Sequence, residues 1–147
     1  MRINSREPGT NGVNTLSATI AVVELGAGLA LLCVPSSAVD LLLGTPLEAP
    51  AAIAVARLGG VALLTLGVAC WLARDDIHSP AARALISAMV LYNLGVVFIL
   101  GVAGFRSLPV RIVLWPAAVV LHLAMATWCV VSLRSWKAEK SELGVLS

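Results

Sequence analysis

The chain alternates long apolar runs with short polar breaks. The first run extends from about residue 15 to 34 and stops at Pro35. The second follows Pro50 and reaches about Ala73, the third occupies about 80–104, and the fourth about 109–133. A helix needs roughly 20 apolar residues to cross a bilayer, and each run supplies them. Between the first two runs lies "SSAVDLLLGTP", in which Ser37 and Asp40 stand at capping-box spacing and Gly44 and Pro46 stop the pattern. That segment is too short to span and predicts a helix lying in the interface. Ser79 followed by Pro80 is a helix start, a capping hydroxyl and then a proline in the first turn. Pro116, inside the fourth run, would forfeit the bond to the Ile112 carbonyl and predicts a bend near Trp115.

The expected fold is therefore all-α: an integral membrane, antiparallel four-helix bundle with a short interfacial helix between the first two spans. Residues 1–13 and 134–147 read as polar cytoplasmic tails, the first flexible, around a transmembrane domain over 14–133. The first run is longer than a signal-peptide core and contains Glu24, which favours a retained helix over a cleaved leader.

Composition agrees with this pattern. The 147 residues are 59% hydrophobic and 12% charged, whereas soluble domains average about 45–50% and about 25%. A small domain cannot hide that excess in its own core, so lipid is the expected solvent. The formal charge of +2 and the lack of a basic stripe exclude nucleic acid as a partner. Cys33, Cys70 and Cys129 are odd in number and without CxxC spacing, so they read as small buried hydrophobes rather than a disulfide or zinc set. No metal or cofactor is expected.

Orientation follows from basic residues. The two tails and the loop after the second span hold Arg2, Arg6, Arg74, Arg83, Arg134, Lys137 and Lys140, against Arg106 and Arg111 on the other side. Both termini are thus expected in the cytoplasm. Sparse lysine with abundant alanine and leucine suits a GC-rich bacterium and its cytoplasmic (inner) membrane. Trp71, Trp128 and Trp136 at one level and Trp115 at the other suit interfacial belts. Ala52, Ala56 and Gly60 form a small-residue stripe, with Gly59 and Gly67 beside it and Gly26 and Gly28 on the first helix. Such residues let helices approach closely where lipid gives no hydrophobic push.

One residue breaks the pattern. Glu24 sits in the middle of the first span, and nine Leu, Ile and Val residues between Leu16 and Val34 favour insertion by roughly −4 kcal/mol against a central charge at about +2.5 to +3.5. So costly a residue is expected to face the bundle interior and find a partner. At 1.5 Å per residue, Glu24 lies roughly 15 Å deep, Asn93 roughly 16 Å, His122 roughly 20 Å and Arg57 roughly 9 Å. These four form the candidate ligand- or proton-binding set, with Tyr92 able to add a hydroxyl; no catalytic residues are assigned. In a structural reading, Glu24 and Arg57 make a buried ion pair whose leftover capacity Asn93 and His122 satisfy. In a functional reading, the same groups line a cavity for proton exchange or for a cationic or sterol-like ligand.

The run from "GAGLALLCVPSSAVDLLLG" through "ARLGGVALLTLGVACW", with the later "LWPAAVVLHLAMA", resembles small uncharacterised bacterial four-helix integral membrane proteins of domain-of-unknown-function type. That resemblance implies the fold and brings no activity. A fainter likeness is to small multidrug resistance transporters, whose first helix carries a glutamate followed shortly by glycine, as in Glu24–Gly26; Glu24 would then be the proton and cation site. Arg57 in the second helix, the longer first loop and the few aromatic residues depart from that pattern.

The expectation from sequence is a non-enzymatic protein, a structural or accessory subunit of a membrane complex, with lipids, other membrane subunits or a second copy as partners. The alternative is a small proton-coupled transporter or lipophilic-ligand binder using Glu24. A lipid-modifying membrane enzyme comes last, because no nucleophile or metal set accompanies Glu24 and His122.

Overall fold

A computed structural model describes residues 8–76, 79–106 and 114–145. Five helices follow in order: α1 (Pro8–Cys33), α2 (Pro35–Leu43), α3 (Pro50–Ala73), α4 (Pro80–Arg106) and α5 (Leu114–Val145). Four of them are long and apolar enough to cross a membrane, over Asn14–Cys33, Pro50–Ala73, Pro80–Gly104 and Leu114–Trp136.

Prolines and glycine set the helix boundaries. Val34, pushed out of helical geometry by the following ring, has φ −133° and ψ 55° and breaks α1 from α2. Pro35 then opens α2 with no side-chain cap, so the expected Ser37–Asp40 box is not what starts it. Gly44, at φ 75°, closes α2 in the left-handed region with its N–H on the Asp40 carbonyl at 2.7 Å. The neighbouring Ser36 hydroxyl both donates to the Leu47 carbonyl at 3.0 Å and accepts from the Leu47 N–H at 3.1 Å, fastening the α2–α3 connection. Pro50 opens α3. Ser79 caps α4 as expected, its hydroxyl accepting from the Ala82 N–H at 3.1 Å.

Both helical ends differ from the sequence reading. Residues 8–13 belong to α1, and α5 continues through the polar segment to Val145. Hydropathy locates where a helix is greasy; it does not locate where it stops, and the helices run through Gly9, Gly12 and Gly144 despite glycine's low helix propensity. The bend expected at Pro116 depends on Ile112, which lies outside the described residues; within described α5 the proline stands in the first turn, where its missing N–H costs little.

Packing is pairwise. α1 lies along α3 and α4 along α5, and contact between the two pairs is sparse, with α2 touching α1, α3 and α5. Gly28 and Gly60 make the first pairing tight: a Cβ at Gly28 would stand 2.8 Å from the Gly60 carbonyl oxygen and 2.9 Å from the Leu64 nitrogen. Gly67 meets Leu25 and Ala21 in the same antiparallel register. Gly26 and Gly59 instead face open space, so only one member of each glycine pair serves the contact. In the second pairing the Trp115 indole donates to the Leu100 carbonyl at 2.6 Å. The core of buried side chains gathers near the chain termini, from Leu16 and Ile20 of α1, Cys70 of α3, Ile86 and Met89 of α4, and Met125 and Cys129 of α5. Cys33, unlike the other two cysteines, is exposed. On the outward faces, Thr19, Thr65, Ser87 and Thr127 each donate to the carbonyl four residues earlier.

Candidate functional site

Glu24 faces inward. It stands at mid-length on the apolar part of α1 and is 1% exposed. Its Oε2 accepts a hydrogen bond from the Tyr92 hydroxyl of α4 at 3.1 Å, while Oε1 is buried without a partner. The Tyr92 ring in turn lies 6.2 Å from the His122 ring of α5, tilted by 58°. Three helices therefore bring a carboxyl, a phenol and an imidazole to one place.

Two of the four expected residues take other positions. Asn93 is fully buried, but it donates to the Met89 carbonyl on its own helix at 2.7 Å and leaves Oδ1 without a partner. One residue along a helix is a rotation of about 100°, so Tyr92 reaches Glu24 and its neighbour does not. Arg57 is exposed, and the expected ion pair with Glu24 does not form. The α1–α3 register explains this. With Gly60 against Gly28 and Leu32, Arg57 comes level with about Leu32 to Cys33, some nine residues or roughly 13 Å along the axis from Glu24. That exceeds the reach of the side chain.

Beside the polar group lies a partly enclosed cavity of about 330 Å³. All five helices contribute to its wall. Glu24, Tyr92 and His122 form one end; Ala27, Ala30 and Ala118 flank it; Leu41 and Leu42 of α2 close over the other end with Leu114. Among the described residues the wall is otherwise apolar and contains no arginine or lysine. The volume is about twice that of an engineered cavity of roughly 150 Å³ that admits benzene, and falls at the lower limit of ligand pockets at about 300 Å³.

The His122 Nδ1 lies 2.8 Å from the Ala118 carbonyl oxygen. A carbonyl oxygen only accepts, so the contact assigns a proton to Nδ1 and leaves Nε2, in the neutral ring, as an acceptor. Among the described residues no three His, Cys, Asp or Glu side chains gather closely enough to hold a metal ion.

Sequence reasoning found Glu24 through the insertion cost and His122 through its depth. It named Tyr92 only as a neighbour, and the signal that would have promoted it is azimuth around α4 rather than height. Searched against family models, curated proteins and solved structures, this chain matches none of them.

Proposed function

We propose that this protein is a membrane-embedded binder of a small lipophilic molecule, held in the cavity beside Glu24. In this reading the four long helices cross a bacterial cytoplasmic membrane as an antiparallel bundle, with both termini in the cytoplasm and α2 at the outer interface. Only 17–33% of each apolar window is buried within the chain, and outward residues such as Val55, Leu58, Leu72 and Phe98 are more than half exposed, which supports lipid as the surrounding solvent. The observation that carries the binding reading is Glu24, a buried carboxyl among the residues that line an apolar cavity, whose Oε1 has no partner. A buried polar atom left without a partner costs about 1–3 kcal/mol, and a ligand group would remove that cost. The accessory-subunit reading rests on the small-residue stripes, the plain loops and the lack of a recognisable catalytic set, none of which accounts for a cavity with a carboxyl among its lining residues.

The test is photolabelling. An eight-carbon hydrocarbon bearing a diazirine is irradiated with the purified protein in nanodiscs, and labelled peptides are mapped by mass spectrometry. Labels are expected on the cavity wall, at Leu31, Leu42 or Val96, and are expected to vanish there in Ala118→Leu. Labels confined to outward faces in both proteins would remove the binding reading.

A further inference from the structure

The binding reading leaves the chemistry of the ligand open, and the hydrogen-bond directions at the cavity's polar end narrow it. Tyr92 directs its proton to Glu24 Oε2. His122 directs its Nδ1 proton to the Ala118 carbonyl. What remains for an occupant, once the buried carboxyl turns toward it, is Glu24 Oε1, the second His122 nitrogen and the lone pairs of the Tyr92 oxygen, all on residues that line the cavity. With Glu24 as a carboxylate and His122 neutral, these are acceptors. Among the described residues no arginine or lysine lines the wall, and apart from Glu24, Tyr92 and His122 those that do are apolar.

Resting on that reading, we infer that the ligand is a compact lipophilic amine or alcohol, a hydrogen-bond donor carried on a short hydrocarbon body, bound with its polar group at mid-depth and its hydrocarbon toward α2. The polarity of the cavity is opposite to that of a bilayer phospholipid. A phospholipid keeps its headgroup at the surface and its chains at the midplane, whereas here the polar end lies halfway along α1 and the apolar end lies beneath Leu41, Leu42 and Leu114. A phosphate or carboxylate at the polar end would meet an acceptor set with no cation among the described residues, which disfavours anionic amphiphiles. Acceptor-only groups such as ketones gain nothing there. The volume admits a body of about a dozen non-hydrogen atoms, scaled from the cavity of roughly 150 Å³ that takes benzene.

Four probes of nearly equal length separate the possibilities: 1-octylamine, 1-octanol, 2-octanone and n-nonane, each competing with the diazirine label in nanodiscs. The amine and the alcohol are expected to displace the label at concentrations at least tenfold lower than the ketone or the hydrocarbon. In Glu24→Leu the label is expected to persist while the four potencies fall within about twofold of one another. Should Glu24→Leu fail to assemble, His122→Phe serves the same purpose, with the preference for donors reduced at least threefold. Equal potency of all four probes on the native protein, or a ketone as the best competitor, overturns the donor-ligand inference and leaves the binding reading standing. Absence of any cavity label overturns the binding reading itself.

Discussion

The same helices are packed in two different ways along their length. Near the chain termini, Leu16, Ile20, Ile86, Met89, Met125 and Cys129 leave almost no exposed surface between the two helix pairs. Toward α2, Ala27, Ala30, Ala38 and Ala118 interrupt a wall of leucines and valines, and a cavity of about 330 Å³ takes the place of a core. The difference is one of side-chain reach. Once the packed end fixes the separation of the pairs, methyl groups are too short to meet across it, and interior contacts need near-crystalline density to hold. Flexible methionines fill the gap at one end and nothing comparable does so at the other. Glu24, Tyr92, Asn93 and His122 mark the level where one regime gives way to the other.

The strongest challenge to this contrast is truncation. Ile20→Ala, at the packed end, is expected to cost about 2–5 kcal/mol, whereas Leu31→Ala, in the cavity wall, is expected to cost under about 1 kcal/mol because its side chain already lacks partners on one side. Denaturant titration in mixed micelles, followed by tryptophan fluorescence, measures both; equal losses would erase the distinction. Enlargement is the mirror experiment. Ala21→Leu, at a fully buried position, is expected to destabilise by about 1–3 kcal/mol through overpacking, and Ala118→Leu to be neutral or stabilising by up to about 2 kcal/mol as it fills space. If thermal unfolding shows both substitutions to be harmful, the cavity is not available volume.

Smaller effects are expected at the boundary level. Tyr92→Phe strips Glu24 Oε2 of its donor and is expected to cost about 1–3 kcal/mol, seen as a lower midpoint in the same titration. Asn93→Leu removes an acceptor that has no partner, together with its one bond to Met89. Replacing a poorly satisfied polar group by an apolar one of similar shape is nearly free, so a change within about 0.5 kcal/mol is expected. A large loss there would show that Asn93 is satisfied by something other than its own helix.

Much of this was legible in the order of residues. Hydropathy located the four long helices, Ser79–Pro80 marked the start of α4, and the insertion cost of a mid-span carboxyl implied that Glu24 turns inward. Height along each helix came from simple rise. Azimuth did not, which is why Asn93 was expected where Tyr92 stands, and why Gly26 and Gly59 were grouped with Gly28 and Gly60. Arg57 failed for a related reason: its level relative to Glu24 is set by the α1–α3 register, a tertiary property fixed at two glycines. The cavity was equally hidden, since a row of alanines reads the same whether it faces another helix closely or an unfilled space.

The outward hydroxyls carry a consequence of their own. With Thr19, Thr65, Ser87 and Thr127 each turned back onto its own backbone, those side chains have no donor proton to give a passing neighbour. From the side, these positions can accept a hydrogen bond but not donate one. A neighbour that brings only acceptors gains no hydrogen bond from them.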